Sequence, residues 1–434
     1  MPVNDALTPL EASYIATNAY FSLKDWIKGA PLADIETRAN VHNRVLGSGN
    51  AGSAAQNTSL KGSSLGGADL QRVFSGTTGM GTSSGFGYLL KCKKGDRRHA
   101  IIATRGTRPE LGAPDLLTDL RGSMTSFGDY GPVHKGFKRT FDAVIANLAK
   151  EHSSVMDADI VHCVGHSLGG GVATLMAAHY ARLGKAVKLY TFGSPRVGAF
   201  QTYSVLQKSI AKENIYRTSH DLDPVSMIGP FPYIHVNPSP SDPQNFTIPS
   251  PTGSLFSVAN HDMARYIDSV GFDPSATWAN AASLAQQVNH DNCALARWLL
   301  HADNNPGWVQ YASAKTLGIL FKLFAHVLRA TSTAVILGLT AVDLLAEMLH
   351  NGLCKAAAFS QQVFQLLRYA ATWAGITVKA GSEFTVQIIG RILGTMMARL
   401  TAMSAHAITT VGVDLVPLPL IVAGGWAISS GLAL

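Results

Sequence analysis

The chain has 434 residues, 47% of them hydrophobic and 15% charged, with a mean hydropathy of +0.14. It is long enough for two domains and greasier than most soluble enzymes, which points to buried helices or membrane contact. The net charge of +7 is spread without a basic run beside interleaved aromatics, and Cys92, Cys163, Cys293 and Cys354 lie far apart with no C-x-x-C pair; a nucleic-acid footprint and zinc or redox motifs are thereby excluded.

The first residues, MPVNDALTPLEASYIATNAYF, lack a basic segment followed by an apolar core. A secretory leader is therefore not expected, and the chain reads as made in the cytoplasm and exported, if at all, by a leaderless route. Thr8-Pro9-Leu10-Glu11 reads as a capping box with proline at the first helical position. Gly47–Gly87, rich in Gly, Ser and Asn, reads as surface loop interrupted near Val73–Phe74. Tyr88–Lys91 and His99–Thr104 form a strand pair around a Lys93–Asp96 turn. A helix is expected from about Lys135 to His152. Asp159–Val164 and Val187–Phe192 are apolar runs separated by a helix, the alternation of a parallel sheet. Asn214–Thr218 and Tyr233–Val236 are further strand candidates, and Pro238–Pro251 reads as loop. From about Pro274 strand signals stop and Ala- and Leu-rich helical patterns take over.

The most informative stretch is Val161–Gly171, VHCVGHSLGGG. An apolar strand enters Gly-His-Ser-Leu-Gly and leaves as a helix, the setting of a nucleophile elbow, with Ser167 on the turn. Gly165 and Gly169 fit because a Cβ there would strike the neighbouring strand and helix. A serine hydroxyl needs a base and an acid. Downstream, YRTSHDLDPV at Tyr216–Val225 offers Asp221 or Asp223 as acid, and ANHDMARYI at Ala259–Ile267 offers His261 as base. Ser167, Asp223, His261 is the nucleophile, acid, base order of α/β-hydrolases. Such a site needs no cofactor and no metal. His134, His162, His166, His220 and His235 read as structural, and Gly193 and Gly198 as turn residues.

TRGT at Thr104–Thr107, TDL at Thr118–Leu120, VHKGF at Val133–Phe137, GHSLGG at Gly165–Gly170 and YTFGSPRVG at Tyr190–Gly198, together with the acid and base segments, resemble the class 3, fungal-type lipases. The resemblance spans roughly residues 70–270. It implies an α/β-hydrolase-like, mostly parallel sheet flanked by helices. It also implies hydrolysis of lipid carboxylic esters by Ser167, His261 and Asp223, which it favours over Asp221. Thr107 and Leu168 amides are the implied oxyanion hole, and Arg108–Leu117 corresponds to the family's lid.

The C-terminal region falls outside the resemblance. Lys315, Lys322 and Arg329 make a basic stripe on an otherwise apolar helical pattern, and eight basic against four acidic residues after 306 leave +4. This suits a helix on a membrane surface or one buried against its neighbours. The expected organisation is thus a hydrolase domain over residues 1–272 and an all-α, membrane-interacting or capping region over 273–434. The expected substrate is phospholipid, with triacylglycerol as the alternative. A leaderless membrane-active lipase resembles the antibacterial effectors of type VI secretion, which require an immunity or chaperone protein. The rival is a membrane-inserting protein with a vestigial hydrolase core.

Overall fold

In the computed structural model the described residues are 5–23, 60, 63–65, 67–78, 82–106, 124–223, 225–227, 233, 235–237, 243–251, 258–271, 275–288 and short pieces between 364 and 395. A seven-stranded sheet organises them. Its strands are β1 (Asp69–Thr78), β2 (Thr82–Lys94), β3 (Arg97–Thr104), β6 (Ile160–His166), β7 (Ala186–Phe192), β8 (Ile215–His220) and β9 (Asn245–Ile248), in that spatial order. β1, β2 and β3 are antiparallel to one another, while β3, β6, β7, β8 and β9 run parallel. A small separate pair, β4 (Met124–Ser126) and β5 (Pro132–His134), leads into helix α2 (Lys135–Leu148). The architecture is that of an α/β-hydrolase.

Both faces of the sheet are covered, and period-two alternation sorts the side chains between them. Ala100, Ile102, Val161 and Cys163 face a core shared with α2, with α3 (Leu168–Arg182) and with α4 (Phe200–Ser209). Ile101, Ala103 and Val164 face the other core, shared with α1 (Pro9–Asn18) and α5 (Met263–Gly271). α1 starts at the capping box: the Thr8 hydroxyl accepts from the Glu11 amide at 3.1 Å and the Glu11 carboxylate accepts from the Thr8 amide at 2.9 Å. Residues 278–288 are helical, and the Trp278 ring lies against Tyr216 and Phe246 while its Nε1–H donates to the Leu7 carbonyl at 2.8 Å. Among the described residues no helix is long and apolar enough to cross a membrane. The basic stripe at 315–329 lies outside the described residues.

Two loop readings are corrected. Asp69–Thr78 and Thr82–Gly87 are strand, not surface loop. Their glycines are there for cross-strand packing: a Cβ on Gly76 would lie 2.7 Å from the Phe86 ring, and one on Gly87 would lie 2.8 Å from that of Phe74. The last strand is Asn245–Ile248, inside the Pro/Ser-rich stretch, and the described residues of 233–236 are not strand. All four residues of β9, the alternating Asn245-Phe246-Thr247-Ile248, are buried beside β8, so a short segment flanked by prolines was enough to complete the sheet.

His99 and His162 sit side by side on β3 and β6, both buried, with Nδ1 of the first 2.8 Å from Nε2 of the second and the rings stacked 5.1 Å apart. Burial holds both below the ordinary histidine range, and for His162 the neighbouring His99 adds to the effect. Each stays neutral in the fold but takes up a proton readily once unfolded. Stability is therefore full above about pH 6.5 and falls as the pH drops below it. The melting temperature should fall by several degrees between about pH 7.5 and about pH 5, and His162→Gln should flatten that slope; an unchanged slope in the variant, read by calorimetry, would show that the pair is not responsible.

Candidate active site

Ser167 occupies the turn between β6 and α3 with φ 57° and ψ −131°, a backbone state rarely adopted by non-glycine residues. Its amide donates to the Phe192 carbonyl at 2.9 Å, and its carbonyl accepts from Gly170 at 2.9 Å. The turn is possible because backbones approach closely on either side. A Cβ on Gly165 would lie 2.3 Å from the Gly169 carbonyl oxygen, and one on Gly169 would lie 2.3 Å from that of Thr104. The Thr104 hydroxyl donates to the Gly169 carbonyl at 2.8 Å and so pins the start of α3 to the end of β3.

Asp223, in the loop after β8, and His261, just before α5, form a buried pair. The His261 Nδ1 lies 2.9 and 3.1 Å from the two carboxylate oxygens, and neither side chain is solvent-exposed. Asp223 also accepts from the Val225 amide at 2.8 Å and from the Tyr266 hydroxyl at 2.6 Å. With Nδ1–H given to the carboxylate, Nε2 of His261 is a bare acceptor, and it has no hydrogen-bond partner among the described residues. Two contacts bring this pair to the elbow. The His166 ring, next to Ser167, stacks on the His261 ring at 4.6 Å. Gly193 follows Phe192, which holds the Ser167 amide; a Cβ there would lie 2.6 Å from Asp223 Oδ2 and 2.9 Å from His261 Nδ1. Ser167, Asp223 and His261 thus gather at one corner of the sheet.

The other sequence candidates fall as follows. Asp221 turns away from His261, and its Oδ1 accepts from the Ser250 amide at 2.9 Å beside the end of β9. The Leu168 amide stands at the first position of α3. Thr107 and the lid segment Arg108–Leu117 lie outside the described residues. His134 caps α2 by accepting from the Gly136 amide, and His235 bonds the Ser226 carbonyl. His220 bonds the Asn260 carbonyl and Ser269, and its ring stacks on Tyr266 at 4.0 Å. Gly193 has φ +54°, and Gly198 bridges to Val133. Among the described residues no group of three or more metal-ligating side chains occurs.

Three residues at the site escape sequence reasoning. Tyr266 lies within a quoted motif, but only the fold shows its hydroxyl on Asp223. Arg105 is buried with its guanidinium donating to the Gly85 and Gly106 carbonyls, both at 2.6 Å, and to Ser84 at 2.8 Å; it fixes the backbone leading toward Thr107. Tyr20 reaches the elbow from 146 residues away, a separation that leaves no local signal.

Residues 101–232, which include Ser167 and Asp223, match the family described as lipase (class 3). A secreted mono- and diacylglycerol lipase of Fusarium solani is 34% identical over 167 residues, covering 37% of this chain and 48% of that enzyme. One from Penicillium cyclopium is 37% identical over 114 residues, covering 25% of this chain and 33% of the relative. The chain therefore spans about half the length of the first of these relatives, and a third of the second. Among solved structures, mono- and diacylglycerol lipase from Aspergillus oryzae is similar with a TM-score of 0.38 at 18% identity, over 64% of this chain and all of that one. The lipase of Rhizopus microsporus var. chinensis is similar with a TM-score of 0.34 at 22% identity, over 52% and 70%. The expected cytoplasmic, leaderless origin is corrected by the curated relatives, which are named secreted enzymes.

The two aspartates of the loop after β8 separate experimentally. In Asp223→Asn an amide would face donors, and the ring of His261 would lose its fixed tautomer; kcat should fall by ~10³–10⁴-fold. Asp221→Asn keeps an acceptor for the Ser250 amide and should remain within a few-fold of wild type. The reverse ranking in ester hydrolysis would reassign the acid.

Proposed function

We propose that the protein is a serine carboxylic ester hydrolase acting on lipid acyl esters. The observation that carries this reading is the bare, buried Nε2 of His261, held by Asp223 at the corner where Ser167 occupies its strained turn. In the proposed cycle Ser167 Oγ attacks the ester carbonyl carbon while His261 Nε2 takes its proton. The Leu168 amide, with that of Thr107, stabilises the oxyanion. His261 then protonates the departing alcohol, leaving an acyl-enzyme that water opens by the same steps in reverse order of roles. Asp223 holds the tautomer and offsets the transient imidazolium.

Two observations bear on the substrate. The curated relatives are named for mono- and diacylglycerols, which favours neutral partial glycerides and an extracellular site of action. The basic, apolar sequence after residue 306 favours an anionic phospholipid surface instead. Attack on a competitor's membrane, and the immunity protein it would demand, stand or fall with this second reading. The division at residue 272 into a hydrolase and a membrane-contacting region rests on the same basic, apolar sequence, whichever ester is preferred.

Purified protein should release fatty acid from monoolein and dioleoylglycerol faster than from phosphatidylglycerol vesicles, and Ser167→Ala should lower either rate by ~10⁴-fold or more. Faster release from the vesicles would establish the phospholipid reading. Equal rates in wild type and Ser167→Ala would remove the hydrolase reading altogether. Deleting residues 307–434 should weaken sedimentation with anionic vesicles while cleavage of a short soluble ester continues; retained sedimentation would take membrane contact away from this segment.

A further inference from the structure

The side chains around the elbow include a hydrogen-bonded chain that the proposed cycle does not use. Tyr20 lies in the 3-10 turn Ala19–Leu23 that follows α1. Its hydroxyl accepts from the Gly106 amide at 3.1 Å and lies 2.6 Å from His166 Nδ1. On the far side of the same ring, His166 Nε2 lies 2.9 Å from the His261 carbonyl oxygen. A carbonyl can only accept, so Nε2 carries the hydrogen. In the neutral ring Nδ1 is then bare, and Tyr20 must be its donor. The direction of every bond is therefore fixed. Gly106 N–H donates to the Tyr20 oxygen, Tyr20 O–H donates to His166 Nδ1, and His166 Nε2–H donates to the His261 carbonyl.

We infer that Tyr20 and His166 are positioning residues that lock the backbone of the base to the backbone entering the oxyanion loop, so that the two move as one unit. This rests on the proposed hydrolase reading and deepens it. The two ends of the chain are the places where that reading needs precision. Gly106 immediately precedes Thr107, and a Cβ on Gly106 would lie 2.8 Å from the Ser167 Cβ. His261 carries the proton-accepting nitrogen. The rings of His166 and His261 are also stacked at 4.6 Å with an interplanar angle of 28°, so the lock fixes the base through its ring as well as its backbone.

The lock works through a tautomer. Without the Tyr20 hydroxyl, the His261 carbonyl alone would hold His166 in the tautomer with Nδ1 bare. The alternative tautomer would turn a lone pair on Nε2 toward the lone pairs of the His261 carbonyl and push the base away. A second proton on His166 would likewise oppose the Tyr20 O–H and set a cation against the ring that must itself become cationic. Burial disfavours that charge, and the neighbouring His261 adds to the effect.

The experiment uses the full chain and three variants: Tyr20→Phe, which removes one oxygen; His166→Phe, which keeps a stacking ring and loses both bonds; and the double variant. With a short soluble ester, each single variant should lose between about 10- and 100-fold in kcat, as expected for a small misplacement of reacting groups, with KM within about threefold. The double variant should lose no more than the worse single one, because both act through one chain. Singles within threefold of wild-type kcat, or losses that multiply in the double variant, overturn the inference. Nitrogen-15 chemical shifts of labelled His166 in wild type give a readout that needs neither activity nor a folded variant. Nε2 protonated and Nδ1 accepting supports the lock, and the opposite tautomer overturns it. A wild type that shows the expected tautomer yet hydrolyses no ester and is not labelled by a fluorophosphonate would sink the hydrolase reading and leave this bonding pattern standing.

Discussion

Three backbones meet at Ser167 with no side chain between them, and the arrangement of the site follows from that contact. β6 must end and α3 must begin within one residue, close against the end of β3. A β-carbon at 165 or 169 would sit 2.3 Å from a carbonyl oxygen, far inside van der Waals contact, so glycine is required at both. With the spacing set, the residue between them has to take φ 57°. That conformation costs of order 1–3 kcal/mol and persists because the surrounding bonds over-determine it. The Ser167 amide is held by Phe192 on β7, its carbonyl by Gly170 in α3, and α3 by Thr104 on β3. The strain is thus distributed over three neighbouring strands of a parallel sheet buried on both faces.

The same burial dictates the electrostatics. An ionised carboxylate taken from water loses several kcal/mol of solvation unless hydrogen bonds replace it. Asp223 receives three replacements: a backbone amide, a phenol and an imidazole. The phenol remains a donor because burial first, and the Asp223 charge second, push the Tyr266 proton affinity well up. Around this charge stand His166 and His220, both lowered by burial and so both neutral. The Asp223 carboxylate therefore holds the Nδ1–H of His261 and leaves its Nε2 bare among uncharged rings. In that setting a proton arriving on His261 is stabilised by a partner already in place, with little reorganisation.

How much of this could be read from sequence depended on whether the signal was local. The elbow was legible because its three constraints, strand, glycine pair and helix, are contiguous. The order of Asp223 and His261 after Ser167 was legible as an order, but Asp221 and Asp223 lie two residues apart with equal chemistry. The resemblance favoured Asp223, and the turn separates them physically by aiming one at His261 and the other at the Ser250 amide. The antiparallel edge was misread because Gly76 and Gly87 have the composition of a loop, whereas the rings of Phe86 and Phe74 cover them. β9 was missed because four buried residues between prolines carry too short a pattern. The Tyr20 contact was invisible in principle, since no pattern along the chain links residues 20 and 166.

The capping box of α1 explains why a residue so far from the elbow in sequence could join it. Proline at the first helical position and the reciprocal Thr8–Glu11 bonds fix where α1 starts. The Leu7 amide, just before the cap, donates to the Tyr190 hydroxyl at 2.9 Å and ties that start to β7. Trp278 closes over the same point by donating to the Leu7 carbonyl. With its origin fixed on the sheet and a helix rise of about 1.5 Å per residue, α1 delivers the Ala19–Leu23 turn to the other end of the parallel strands. That is the end where ligands meet open α/β sheets. A helix anchored at one end of the parallel strands thereby acts as a ruler, and the distance from Leu7 to Tyr20 determines whether a phenol reaches His166. A one-residue change in α1 would rotate that phenol by about 100° and remove it from the elbow, which makes the length of this helix, and not only its apolar face, part of the site.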